Sequence, residues 1–252
     1  MKNQKNQKNP VILQIPFNTF SNREAALNVL LGFLEADQNH LVVTPNPEAV
    51  MIAQRDGGFL HVLQQADLVL PDAIGILMAA KWLKMPMPCR VPGCDAALAL
   101  LEAISTTQYT VYLLGAAPGV AETALRNLEA SYPTLRIIGT HDGYFNHEEE
   151  ILLLEEIKQL KPDVLLVGMS MPRQELWAAT HLHNLPCKVT MCLGGSIDIM
   201  AGTVKRAPKI MRRLGLEWLY RLVSQPSRAR RMLNLPRFVL AVLRSKRGGA
   251  FG

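Results

Sequence analysis

The chain has 252 residues, 49% of them hydrophobic and 19% charged, with a formal net charge of +6. That length suits one large domain, or one domain with an appendage, and the apolar content excludes a disordered chain. The charge is unevenly placed: residues Thr203 to Gly252 carry thirteen Lys/Arg against one acid, Glu217, a net +12 that leaves Met1 to Gly202 at −6.

A moderately acidic body with a basic tail points to an anionic partner: nucleic acid, an acidic membrane surface or a phosphorylated ligand. In chain order, residues 1–10 (MKNQKNQKNP) read as a polar, disordered leader with no apolar signal core behind the lysines. Strands are predicted at Val11–Ile15, Leu41–Thr44, Leu68–Leu70, Thr110–Leu114, Arg136–Gly139, Val164–Val167 and Lys188–Leu193. Most are apolar at successive positions, as expected of strands covered on both faces. Helices are predicted between them at Asn22–Ala36, Asp95–Ser105, Pro118–Ser131 and Glu148–Leu160. This alternation predicts an α/β, Rossmann-like parallel-sheet domain over residues 11–202, with helices on both faces.

Residues 203–252 form a basic, amphipathic helical appendage. Leu216, Leu219, Tyr220 and Val223 recur at helical spacing beside cations, as in helices that lie at a membrane interface. A solvated basic helix fits the same pattern. The apolar run Phe238–Leu243 is far short of the ~20 residues that span a bilayer. An apolar face on such a tail can also pack on a second copy of the chain, so a homo-oligomer stays open. No nucleic-acid-binding module is recognisable.

In parallel sheets ligands sit beyond the carboxyl ends of the strands. Six polar turns fall there: T-P-N-P-E (Thr44 to Glu48), P-D-A-I-G (Pro71 to Gly75), G-A-A-P-G (Gly115 to Gly119), T-H-D-G-Y-F (Thr140 to Phe145), G-M-S-M-P-R-Q-E (Gly168 to Glu175) and G-G-S-I-D (Gly194 to Asp198). Asp72 can take a proton from a substrate hydroxyl, or cap the helix that follows it. Thr44 and Asn46 offer short, rigid hydrogen bonds to sugar hydroxyls, or cap a helix. Gly115 allows close backbone approach, and the following helix offers N–H groups to an anion. Tyr144 can stack on a base or sit half-buried. Gln174 can bond a ligand, and Glu175 suits a helix first turn. Asp198 can read a ribose or base edge, or cap the residues after it.

Metal ligands are scarce. No two aspartates are spaced D-x-D, so a bound diphosphate would need arginine or backbone N–H groups. Cys89/Cys94 and Cys187/Cys192 are spaced more widely than usual zinc pairs and read as ordinary thiols, compatible with a reducing cytoplasm. As part of a strand, Cys187 and Cys192 would point to opposite faces.

T-P-N-P-E, L-P-D-x-x-G, R-V-x-G-x-D (Arg90 to Asp95), D-G-Y-F, P-x-Q-E and R-A-P-x(6)-G-L-E-W-L-Y-R occur in this order. As an ordered set from about Val11 to Arg237 they resemble the WecG/TagA/CpsF family of bacterial glycosyltransferases, glycosyltransferase family 26. The resemblance implies an inverting, metal-independent hexosyltransferase without a cofactor. It would move an N-acetylmannosamine-type sugar from a UDP-sugar to a polyprenyl-diphosphate-linked sugar, for surface polysaccharide or teichoic-acid-type polymers. It further implies a peripheral protein on an anionic membrane surface, at the cytoplasmic face of the bacterial membrane. By motif, Asp72 would be the general base, and Thr44, Asn46, Arg90 and Gln174 would line the sugar and acceptor pocket. Gly115, Tyr144 and Asp198 would hold the uridine portion, and Arg221, Arg228 and Arg231 would neutralise the leaving diphosphate. Two positions depart from the family pattern: Ala73 where a glycine is usual, and Ser170. Two other readings of the residues stay open, a soluble Rossmann-type enzyme with a nucleotide cofactor, and a non-catalytic protein binding anionic lipid or nucleic acid.

Overall fold

The structure is a computed structural model, and it describes residues 9–208, 210–211, 215–224 and 234–247. Its centre is a six-stranded, all-parallel sheet in the order β4-β3-β8-β7-β5-β6. The strands are β3 (His40–Val43), β4 (Leu68–Val69), β5 (Thr110–Gly115), β6 (Arg136–His141), β7 (Val164–Gly168) and β8 (Val189–Cys192). β3, β4, β7 and β8 are buried at every residue, as their mainly apolar runs require of a doubly covered sheet, with His40 and Thr190 as buried polar exceptions.

Alternate strand residues feed two cores. Leu41, Val43, Leu114, Leu165, Val167 and Cys192 point to one side, under α2 (Pro47–Ala53), α3 (Gly57–Gln65), α4 (Ile74–Trp82), α7 (His147–Leu160) and α8 (Arg173–His181). Val42, Val111, Leu113, Val164, Leu166 and Met191 point to the other, under α1 (Arg23–Leu34), α5 (Gly93–Ile104), α6 (Val120–Ser131) and α9 (Ser196–Met200). The expected Rossmann-like α/β architecture is therefore present.

The first expected strand is not continuous. Val11–Ile12 (β1) and Ile15–Pro16 (β2) form an antiparallel hairpin whose turn residues, Leu13 and Gln14, have φ of 47° and 70°. A two-residue hairpin turn of this hand needs positive φ at both positions. Neither residue favours it, but their carbonyls accept bonds from Gln54 Nε2 (2.8 Å) and Gln64 Nε2 (2.9 Å), which hold the turn from outside. Cys187 likewise precedes β8 rather than joining it, so Cys187 and Cys192 enter the same core instead of opposite faces. All four cysteines are free thiols, and burial pushes Cys187 up to about 12.

The tail ends in α10 (Glu217–Ser224) and α11 (Asn234–Arg247). α11 packs on α2 and α4 and puts Phe238 and Val242 into the core. No helix among the described residues is long and apolar enough to cross a membrane.

Candidate active site

The sheet order spreads the predicted residues along one edge. Asp72 leaves β4 and Thr44 and Asn46 leave β3, at one end; Gly115 leaves β5 and Tyr144 follows β6, at the other. Between them, Gln174 opens α8 after β7, and Asp198 lies in α9 after β8.

At the β4–β3 end Asp72 is half-buried and does not cap the helix that follows: the N-cap of α4 is Ala73, with no side-chain cap. Instead Asp72 Oδ1 accepts from the backbone N–H of Gly93, the first residue of α5, at 2.8 Å. The segment Arg90 to Asp95 is drawn in further by Val91 N–H, which donates to the Pro71 carbonyl at 3.0 Å. Gly93 is required there, since a Cβ would lie 2.6 Å from Thr44 Cγ2. Thr44 Oγ1 donates to the Cys192 carbonyl (3.0 Å), tying the end of β3 to that of β8. Asn46 caps α2, its Oδ1 accepting from Ala49 N–H at 3.0 Å. Ala73 adopts φ −100°, an extended conformation open to any residue, so the missing glycine causes no strain. Ser170 is exposed and its carbonyl accepts from Gln174 N–H.

The tail converges on the same end. Asp95 pairs with Arg206 and with Arg23, the latter at 3.0 Å. Arg90 Nη2 stands 3.7 Å from Glu217 Oε2, the tail's one acid. Gly215 backs onto Ile74, two residues after Asp72, so closely that a Cβ would lie 2.8 Å from its Cγ1. Arg221 lies in α10 with its side chain outside the described part, and Arg228 and Arg231 lie outside the described residues.

At the other end Gly115 has φ +138°, and a Cβ there would meet the Gly168 carbonyl oxygen at 2.4 Å. That conformation and contact admit only glycine. Tyr144 is 71% exposed, and its N–H donates to Asp142 Oδ1 at 2.7 Å. Gln174 is 2% exposed, with its amide engaged: Nε2 donates to Glu175 Oε1 (2.7 Å) and Oε1 accepts from Gly194 N–H (2.9 Å). It therefore fixes the turn after β8. Asp198 sits inside α9 rather than capping it; its carbonyl accepts from Thr203 Oγ1 and Val204 N–H, where the chain leaves for the tail. Of the helices leaving this edge, α2 and α7 are capped by Asn46 and Asn146, whereas α4, α6, α8 and α9 start without a side-chain cap. Uncapped first turns leave backbone N–H groups facing the edge, where an anion is favoured.

The sequence singled out neither Gly93, Asp95, Arg173, Glu175 nor Arg206 as site residues. Gly93 and Asp95 were inside the R-V-x-G-x-D motif and Arg206 opens R-A-P, but only the fold shows that these two motifs meet. Among the described residues no group of three or more His, Cys, Asp or Glu is placed to hold a metal ion.

The chain that builds this edge matches known proteins along nearly its whole length. The Glycosyl transferase WecG/TagA/CpsF family matches residues 10–251. The chain belongs to that family. It is similar to the N-acetylglucosaminyldiphosphoundecaprenol N-acetyl-beta-D-mannosaminyltransferase of Bacillus spizizenii (strain W23), 35% identical over 240 residues covering 93% of each chain. Proteins of the same description from Staphylococcus aureus strains MRSA252 and MW2 are 34% identical over 237 residues, covering 94% of this chain and 92% of theirs. Membership of this glycosyltransferase family removes the nucleotide-cofactor enzyme and the non-catalytic binding protein as readings of the chain. Of the six ordered motifs, R-V-x-G-x-D meets L-P-D-x-x-G through Gly93 and Asp72, and meets R-A-P-x(6)-G-L-E-W-L-Y-R through Asp95 with Arg206 and Arg90 with Glu217.

Proposed function

We propose that the protein transfers an N-acetylmannosamine-type sugar from a UDP-sugar to N-acetylglucosamine linked through diphosphate to a polyprenyl lipid, for a teichoic-acid-type surface polymer. The substrates named for the similar Bacillus and Staphylococcus enzymes support this. The observation that carries it is Asp72. It is a half-buried strand-end carboxylate, oriented by Gly93 N–H, with Thr44 packed close on Gly93 and Gly215 of the tail close on Ile74.

In this reading Asp72 takes the proton of the acceptor hydroxyl as that oxygen bonds to the anomeric carbon. The bond from that carbon to the UDP oxygen breaks on the opposite face, so configuration inverts. The leaving diphosphate gains negative charge, which the uncapped N-termini along the edge and the arginines of the tail stabilise without a metal ion. Gly115 would admit the nucleotide close to the backbone, Tyr144 would stack on uracil, and Asp198 would serve the ribose side. Thr44, Asn46 and Arg90 would shape the sugar pocket. Gln174 would act there through the Gly194 turn.

The tail gives the lipid-linked acceptor a place to arrive from. α10 exposes Trp218, Leu219 and Val223, and α11 exposes Leu240 and Leu243 between Arg237 and Arg244. Apolar side chains beside cations suit the anionic surface of a membrane, on which the protein would sit as a peripheral enzyme at the cytoplasmic face.

The test is Asp72→Asn, which keeps an oxygen for Gly93 N–H and removes the base. Turnover with a UDP-N-acetylmannosamine donor and a synthetic lipid-diphosphate acceptor should fall about 10²–10⁴-fold with UDP affinity unchanged. Near-normal turnover in this variant rules out Asp72 as the base.

A further inference from the structure

The first turn of α8 sends Arg173 and Gln174 to different turns of the edge. While Gln174 holds Gly194 after β8, Arg173 reaches back to the turn after β6. Arg173 Nη1 donates to the Gly143 carbonyl at 2.6 Å, and its guanidinium carbon lies 4.7 Å from the centre of the Phe145 ring. Gly143 and Phe145 are the two neighbours of Tyr144.

The same turn is fixed from β5, since Gly143 N–H donates to the Ala116 carbonyl at 2.9 Å. Tyr144 N–H is itself held by Asp142 Oδ1. Phe145 packs edge-on against Trp177 of α8 and His141 of β6, so the platform under Arg173 is anchored in the body. The result is an exposed tyrosine ring carried on a backbone fixed on both sides. A ring presented in this way has less conformational freedom to lose on stacking against a flat ligand. Arg173 meanwhile directs its charge to a carbonyl and an aromatic face, where guanidinium geometry suits both contacts.

We propose that Arg173 is a positioning residue for the donor nucleotide, acting through the Gly143 carbonyl and the Phe145 ring to present Tyr144 to the base. This rests on the reading of the strand-end edge as a UDP site. A direct Arg173–phosphate contact is the competing role, and the two differ in how Arg173 and Tyr144 combine. If Arg173 works through Tyr144, removing both costs little more than removing Tyr144 alone. If it touches phosphate, the losses multiply.

The experiment measures UDP affinity by isothermal titration calorimetry on the full chain, for the wild type, Arg173→Ala, Arg173→Lys, Tyr144→Ala and the double variant Arg173→Ala/Tyr144→Ala. Loss of the clamp should weaken UDP about tenfold, and lysine, which can still donate to the carbonyl and sit over Phe145, should recover about half of that on a logarithmic scale. The double variant should bind within about twofold of Tyr144→Ala. In turnover, Arg173→Ala should raise the donor KM and leave kcat within about threefold, because the base end of the nucleotide is remote from the reacting carbon. A purely structural role would lower the melting temperature while leaving the KM and the coupling to Tyr144 unmoved. Unchanged UDP affinity in Arg173→Ala, or losses that multiply, overturns the proposal while leaving the UDP site intact. Absence of UDP binding by the wild type overturns both. Should Arg173→Ala fail to fold, Arg173→Lys with and without Tyr144→Ala answers the same question.

Discussion

Glu175 lies next to Gln174 in the first turn of α8, 4% exposed, with Oε1 accepting from Gln174 Nε2 and Oε2 buried without a hydrogen-bond partner among the described residues. Burial pushes its carboxyl from an ordinary 4.5 up to about 7, the Gln174 bond opposing the rise only in part. Below about pH 4.5 the residue is protonated whether the chain is folded or not, and adds no pH dependence. Between about 4.5 and 7 the unfolded chain releases the proton and the folded one keeps it. The folded state then binds more protons, so stability falls as pH rises through this window and levels off above about 7. The ceiling on the loss, taken from those two values, is roughly 3 kcal/mol.

Glu175→Gln removes the titration and keeps an oxygen that can accept from Gln174. Its new amide N–H groups add a constant offset of about 1–3 kcal/mol if they find no partner. The informative quantity is therefore the slope with pH rather than the offset. Urea unfolding followed by tryptophan fluorescence at pH 5, 6, 7 and 8 should show the variant gaining on the wild type by about 1–3 kcal/mol across the series. Other carboxylates cancel in the difference. A difference that is flat from pH 5 to 8, or that shrinks, refutes the reasoning and means that Glu175 is ionised in the folded protein at pH 5.

Phe238 is buried between α11 and the helices α2 and α4, so Phe238→Ala should cost about 3–5 kcal/mol in urea unfolding; less than 1 kcal/mol would mean the tail helix is not docked. Val223, 74% exposed, and Leu240 face outward, and Val223→Asp with Leu240→Asp should lower partitioning onto anionic vesicles at least about tenfold in flotation, with unchanged melting. Equal flotation would place the membrane contact elsewhere. Turnover should be the same in EDTA as in added Mg²⁺, and a strict requirement for the metal would contradict charge stabilisation by arginines and helix N-termini.

The sheet was legible because most of its strands are mainly apolar at successive positions, the signature of burial on both faces, and the ligand edge followed from that; only the edge strand β6 is not buried. What escaped was held by partners distant in sequence. The hairpin at Leu13 and Gln14 has no glycine or asparagine to announce it, because Gln54 and Gln64 impose its conformation. Asp72 could be found at a strand end, but the Gly93 N–H that orients it comes from 21 residues further on. α11 carries two apolar stripes, Phe238 with Val242 and Leu240 with Leu243, and hydropathy alone does not say which one faces the body.

These hidden contacts change the meaning of the basic tail. Arg206 pairs with Asp95 and Glu217 with Arg90, at the two ends of the segment whose Gly93 N–H holds Asp72, while Gly215 packs on Ile74 just beyond it. The segment that orients the proposed base is thus the segment on which the tail is docked. A tail that shifted from Asp95 and Arg90 would free the segment holding Asp72 as well as withdraw the cations proposed to serve the edge. The proposed charge supply and the proposed base orientation thus share six residues, 90–95, and loss of the tail should depress turnover by both routes at once.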